Sequence, residues 1–391
     1  MQPFAGGAPA RPARGNRGKG WDMDIRGIDH IELYVGDARQ AAFYFGNAVG
    51  MRLCGQGGPE TGLTGQRSLL LRHAGVRLLL TSGLTADHPA AAYVRRHGDG
   101  IAVVAMEVDD AAGAYSELLA RGATGGTPPT TVTSADAEVV VAEVDGFADV
   151  RHRLVERRRG GPDFLPGLAE LPPVDDTAEN LLAEIDHLAV CVPPGQLAET
   201  VRGYREVFGF AEIFHEYVEV DGQAMNSTVV QSRSGRVTLV LLEPDTTRRA
   251  GQIDAFLTQH AGAGVQHLGL RTDDIVEAVT ALRQRGVGFA RTPAAYYDDL
   301  ETRVGRVDGS LDRLRELGVL VDRDHDGQLL QIFTESMHVR RTLFLELIER
   351  RGARTFGSGN IKALYEAKER ELAVAGALPA VSAATGQEVT A

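Results

Sequence analysis

His187, His267 and Glu346 are the residues in this sequence best suited to hold a metal ion. Two imidazoles and one carboxylate form the facial set that binds non-haem Fe(II), leaving three adjacent positions for a bidentate substrate and O2. Zinc accepts the same ligands, usually in a four-coordinate site built for hydrolysis. The three residues share no local motif, and either histidine alone reads as an ordinary strand residue. Glu346 is harder to dismiss. It stands between Phe344, Leu345, Leu347 and Ile348, and a lone carboxylate in so apolar a strand must be paired or bound to a cation. No thiol joins the set. Cys54 and Cys191 are the only cysteines, so no disulfide framework is expected and a reducing, cytoplasmic setting fits.

The elements that must position these residues occur twice. Gly27-Ile28-Asp29-His30-Ile31-Glu32-Leu33-Tyr34-Val35 matches Glu184-Ile185-Asp186-His187-Leu188-Ala189-Val190-Cys191-Val192. Each is an alternating strand followed by a helical stretch. In the second copy Leu197, Val201, Tyr204 and Phe208 keep an amphipathic spacing up to the stop at Gly209. The segments around Val103 and His267 then align. Each leads to an acidic pair, Asp109-Asp110 or Asp273-Asp274, and a helix. Arg153-Leu154-Val155-Glu156-Arg157 finally aligns with Glu346-Leu347-Ile348-Glu349-Arg350. The chain is therefore read as an internal duplication, each half a mostly antiparallel sheet covered by short helices. The duplication acts as a control. The first-half counterparts of the three candidates are His30, Val103 and Arg153, so only one copy has the metal constellation.

The 391 residues carry a formal charge of −12, with 43% hydrophobic and 24% charged residues. That suits a globular enzyme and disfavours nucleic acid or an anionic membrane as a partner. No apolar run reaches the roughly 20 residues needed to span a bilayer. We expect a disordered tail over 1–24, a metal-free module over 25–157, a linker over 158–180, a catalytic module over 181–372 and a second disordered tail over 373–391. A homodimer joined through the metal-free half is the expected assembly.

Longer motifs of the second half carry a resemblance. Gly251-Gln252-Ile253-Asp254, Gly262-Ala263-Gly264-Val265-Gln266-His267, Pro293-Ala294-Ala295-Tyr296-Tyr297-Asp298, Gly327-Gln328-Leu329-Leu330-Gln331-Ile332-Phe333-Thr334 and Phe356-Gly357-Ser358-Gly359-Asn360-Ile361-Lys362-Ala363-Leu364-Tyr365-Glu366 resemble, in this order, the 4-hydroxyphenylpyruvate dioxygenase family. The likeness covers residues 25–370 and is strongest after 184. It implies an α+β fold of two tandem vicinal-oxygen-chelate (glyoxalase/bleomycin-resistance-like) modules, each of paired βαβββ units forming a half-open sheet barrel. It also implies Fe(II), O2 as co-substrate and an arylpyruvate substrate. Extradiol dioxygenases share the duplicated fold but lack the terminal Phe-Gly-x-Gly-Asn segment.

Two chemistries share the active site of that family: attack on the ring, giving homogentisate, and hydroxylation of the benzylic carbon, giving 4-hydroxymandelate. Ring-attacking members usually carry Phe where Ile361 stands and Asn where Leu242 stands. The sequence therefore resembles the mandelate-forming members, which would place it in the synthesis of building blocks for peptide antibiotics. Those members carry Thr at the position of Val240, a departure that leaves unsubstituted phenylpyruvate open as substrate. The resemblance implies Ser227 and Gln331 as polar contacts to the substrate, Gln252 as an orienting residue, and Asn360 and Ile361 in a closing segment with a helix from Ile361 to Leu372. Gln331 and Phe333 alternate on one strand face, and Phe344 shares a face with Glu346 as a candidate pocket wall. Gln266 neighbours His267 and is expected to face away. A non-catalytic, ligand-sequestering protein is the reading of another class; metal ligands kept in only one half argue against it. The remaining histidines, His73, His88, His97, His152, His215, His260, His325 and His338, are expected on the surface or in loops. Asp322–Asp326 resembles the start of a calcium loop, but Phe333 stands where that loop needs its final glutamate.

Overall fold

A computed structural model describes residues 23–134, 136–161, 165–171, 181–220, 222–357, 359, 360 and 362. Residues 1–22 of the expected N-terminal tail over 1–24, the whole expected C-terminal tail over 373–391 and, Lys362 apart, the expected helix from Ile361 to Leu372 lie outside the described residues. The first module comprises β1 (Ile25–Tyr34), α1 (Ala38–Asn47), β2 (Arg52–Gly57), β3 (Gln66–His73), β4 (Val76–Gly83), α2 (Pro89–His97), β5 (Gly100–Val108), α3 (Ala111–Ala120), β6 (Thr130–Thr133), β7 (Glu138–Asp145), β8 (Arg151–Arg159) and β9 (Ala169–Glu170). The second comprises β10 (Glu184–Cys191), α4 (Leu197–Glu206), β11 (Ala211–Val220), β12 (Gln223–Gln231), β13 (Thr238–Pro244), α5 (Gln252–His260), β14 (Gly264–Arg271), α6 (Ile275–Gln284), α7 (Leu300–Val304), α8 (Leu311–Leu317), β15 (Leu320–Arg323), β16 (Gln328–Phe333) and β17 (Phe344–Arg351).

The sheets run β6-β7-β8-β5-β1-β4-β3-β2-β9 and β11-β12-β13-β10-β14-β17-β16-β15. Apart from β9 they are the same curled, mixed half-barrel. At the centre of each, β1 or β10 lies antiparallel to β5 or β14, which in turn lies parallel to β8 or β17. Local chemistry repeats as well. The second acid of each predicted pair caps the next helix: Asp110 accepts from the Gly113 amide and Asp274 from the Glu277 amide, each at 2.9 Å. A buried glutamate on the neighbouring strand also meets each helix start, Glu156 of β8 at Ala111 N and Glu349 of β17 at Ile275 N. These oxygens satisfy amides that a helix start leaves without intrahelical partners.

One apolar core runs through both modules, from Ile31 and Leu33 on β1 to Leu188 and Val190 on β10 and Leu345 and Leu347 on β17. α4 buries Leu197, Val201 and Tyr204, as its spacing requires. Tyr204 also crosses the module boundary, its hydroxyl 2.8 Å from His152 Nε2 on β8. At a second crossing the His97 and His260 rings stack 4.3 Å apart, at the ends of α2 and α5. His97 also reaches the His260 carbonyl and Asp149.

The surface reading of the remaining histidines is thus corrected. His73, His97, His152 and His260 are buried, three of them because docking of the modules covers them. Their spacing along the chain carries no trace of that docking. Burial pushes His152 down to about 4, and burial with the nearby His97 does the same to His260. The native state therefore refuses protons that the unfolded chain accepts. That stability is complete above about pH 6.5 and drains as pH falls toward 4, at roughly 1.4 kcal/mol per pH unit for His152 alone. We expect the urea midpoint to fall across this window, and His152→Phe to flatten the fall.

Candidate metal centre

His187, His267 and Glu346 rise from three adjacent strands, β10, β14 and β17. In register, His187 pairs with Gly269, and Gly269 with Glu346. The next pair along, Ala189 with His267 and His267 with Phe344, offsets the second imidazole by one side-chain repeat on the same face. Glu346 Oε2 lies 3.1 Å from His187 Nε2 and 3.4 Å from His267 Nε2, and the three ligand atoms all lie within 4.8 Å of one another. Ligand atoms about 2.1 Å from one ion and at right angles to each other are about 3.0 Å apart, so this spacing fits a common ion. Gly269 makes room: a Cβ there would stand 2.5 Å from His187 Cε1.

His187 and Glu346 are buried and His267 is half-buried. Burial alone would lower His187, but the Glu346 charge and a hydrogen bond to Asp186 push it up to about 9. Burial would raise Glu346, but the two imidazoles hold it down at about 2. His267 is lowered, mainly by burial. An entering cation therefore displaces a proton from His187. Metal affinity should tighten about tenfold per pH unit from pH 6.5 to 8.5, read by competition titration with Co(II).

The cage is braced from behind. Asp186 Oδ1 lies 2.9 Å from His187 Nδ1, which leaves Nε2 for the ion. Arg350 donates to both Asp186 oxygens, at 2.7 and 2.8 Å. It also donates to the carbonyls of Ala353 and Thr355, and its guanidinium lies over the Phe356 ring. Gln266 Oε1 approaches His267 Nδ1 at 3.2 Å. The expectation that Gln266 faces away is therefore corrected, and strand geometry gives the reason. The β10–β14 register slips between Ala189/His267 and Val190/Val265, making Gln266 the extra residue of a bulge. Asp186 is the extra residue of a second bulge, between Ile185 and His187. Bulges break alternation, so a neighbour in sequence can share a histidine's surroundings. Asp186→Asn should weaken metal binding about 10- to 100-fold with little loss of folded protein, measured by Co(II) titration.

Ring packing and register fill in the same face. Phe344 stacks on His267 at 5.0 Å, Phe333 meets His267 edge-on at 5.7 Å, and Phe356 meets His187 edge-on at 5.5 Å. Val240 pairs with Ala189, Leu242 with Cys191, and Ser227 with Leu242, which puts all three on the face of the ligands. Gln331, two residues from Phe333, faces the same way and is buried. Its Oε1 has no hydrogen-bond partner among the described residues. Asn360 is buried, accepts from the Tyr296 hydroxyl at 2.6 Å and leaves Nδ2 without a partner among the described residues. Gln252 stands at the exposed first position of α5; its neighbour Ile253 packs with Val240 and Leu242 instead. Asp324, from the rejected calcium-like loop, accepts four backbone amides, from Asp326, Gly327, Arg354 and Thr355. It thereby fixes the turn that leads to Phe356.

The sequence reading missed Asp186, Arg350 and Phe356 as supports of the cage. The signal was present, since Asp-His and the distant Arg recur in both repeats.

Residues 27–149 and 184–332 match the family model described as the glyoxalase/bleomycin resistance protein/dioxygenase superfamily. The chain is 33% identical over 400 residues to 4-hydroxyphenylpyruvate dioxygenase from Coccidioides posadasii, covering 95% of this chain and 97% of that protein. It is 32% identical over 364 residues to the Dictyostelium discoideum enzyme of the same name, covering 89% and 98%. Among solved structures, a triple mutant of 4-hydroxymandelate synthase from Streptomyces coelicolor superposes with a TM-score of 0.80 at 42% identity, covering 89% of this chain and 99% of that one.

Proposed function

This chain belongs to the 4-hydroxyphenylpyruvate dioxygenase family, and within it we propose that the protein converts 4-hydroxyphenylpyruvate and O2 into 4-hydroxymandelate and CO2. At the level of the family it is a non-haem Fe(II) 2-oxo acid dioxygenase, with His187, His267 and Glu346 as the facial triad and an arylpyruvate as substrate. Bound Fe(II) supplies a centre where the 2-oxo acid chelates and O2 is activated, the electrons coming from decarboxylation of the substrate itself.

The chain's own residues hold and aim the substrate. Phe344 and Phe333 wall the ring side of His267. Gln331 offers its unpartnered buried oxygen to the phenol hydroxyl, and Ser227 supplies a second polar contact. Asn360 belongs to the segment that closes the pocket and excludes water. Gln252, being exposed, is left outside the contact set.

The observation that carries the mandelate reading is Leu242. It stands on the metal face among Val229, Val240, Met225 and Phe256, where ring-attacking relatives usually carry Asn. With no amide to pin the ring, the ring turns away and the CH2 comes forward. The 42% identity to a 4-hydroxymandelate synthase, against 33% to the Coccidioides dioxygenase, supports the same reading. The test is chromatography of the product formed from 4-hydroxyphenylpyruvate with Fe(II) and O2, run beside phenylpyruvate. 4-Hydroxymandelate is expected. Homogentisate as the main product would overturn the reading and leave the ring-attacking dioxygenase.

A further inference from the structure

The first module repeats the brace behind His187. Asp29 Oδ1 lies 2.6 Å from His30 Nδ1, and Arg157 donates to both Asp29 oxygens at 2.7 and 2.9 Å. Asp29 is also the extra residue of a bulge, between Ile28 and His30. The brace thus aims His30 Nε2 into its own half-barrel, as Asp186 aims His187. What it meets there is Arg153. Arg153 pairs with Ala105 on β5, as Glu346 pairs with Gly269 on β14. Its Nη1 lies 3.1 Å from His30 Nε2, and its Nη2 lies 2.8 Å from both Glu32 and Glu143. Glu32 and His30 are buried, and a cavity of about 240 Å³ opens beside the guanidinium, lined in part by Glu32, Glu143, Gln66 and Ser68.

We propose that the first half-barrel has a second cation position, filled in the native chain by the Arg153 guanidinium, and that His30, Glu32 and Glu143 bind a divalent metal when it is removed. Three arguments meet here. Two carboxylates turned into one barrel need a cation, because an uncompensated charge there is strongly destabilising. One imidazole nitrogen and two carboxylates converge on a single positive group, a donor set that suits Mn(II), Co(II) or Zn(II). The brace that selects the ligand-ready tautomer is built although no ligand-to-metal bond uses it. Arg153 thus does electrostatically for one module what the ion does for the other, and it keeps the chain at one ion.

The proposal rests on the family reading only for the second module, and the test separates the two. Full-length metal-free protein is loaded with Co(II) and desalted. Bound metal is then counted and the Co(II) d–d absorption recorded. Wild type should hold one Co(II) per chain, Arg153→Ala two, and Arg153→Lys, which keeps a cation in place, one. In His187→Ala/Arg153→Ala the remaining ion should keep its absorption band. A folded Arg153→Ala protein that still holds one ion would overturn the proposal. So would an Arg153→Ala protein that fails to fold even with Co(II) present, since the ion should take over the guanidinium's work. Failure of the second-module site alone would appear differently, as a wild type that holds none while Arg153→Ala still gains one.

Discussion

Glu346→Gln should stop product formation, lowering turnover by at least about three orders of magnitude, because the metal loses its only anionic protein ligand. The substitution keeps the volume of the side chain. It removes the charge that gathers two imidazoles within 3.4 Å of one oxygen. Oxygen uptake and CO2 release should stop together with product, and the bound metal should fall. The metal-free variant should also lose the raised affinity of His187 for a proton, because Glu346 is the main group that raises it. Measurement of product, O2 consumption and metal content on one preparation checks all three. An active Glu346→Gln enzyme with full metal would remove Glu346 from the centre.

The second large effect concerns which carbon reacts. Leu242→Asn combined with Ile361→Phe should move the ratio of mandelate to homogentisate by roughly 100-fold, since a misplacement near 1 Å costs about that much. Leu242 pairs in register with Cys191 and Ser227, so an amide there enters the face that carries the metal ligands. Fe(II) affinity should stay at the wild-type value, because neither residue is one of the three metal ligands. Chromatography of both products from each single and the double variant is the check. An unchanged product ratio in the double variant would show that the ring is oriented by other residues.

The duplication made the cage legible and hid its supports by the same logic. Comparing repeats for what differs selects His267 and Glu346, which face Val103 and Arg153 in the other copy. The same comparison discards whatever is shared. Asp186 and Arg350 have counterparts in Asp29 and Arg157, so they looked like scaffold although one pair braces a metal ligand. Gln266 failed for another reason. Alternation assumes an unbroken ladder, and the slip beside Ala189 is a matter of pairing with β10 that β14 alone does not encode. The stacked His97 and His260 depend on how two modules dock, a contact between residues far apart in the chain. The amphipathic α4 and the helices that follow Asp109-Asp110 and Asp273-Asp274 come from local or repeated patterns, which is why they could be read directly.

The continuous core also bears on how this enzyme can be taken apart. Were the second half made alone, Tyr204 and the rings around it would face water where β8 now covers them. The ligands would all be present, yet the piece would be sticky and short-lived. The half without iron is therefore a foundation cast in one pour with its neighbour, and a minimal catalyst cut at the repeat boundary would inherit the chemistry but lose the ground it stands on.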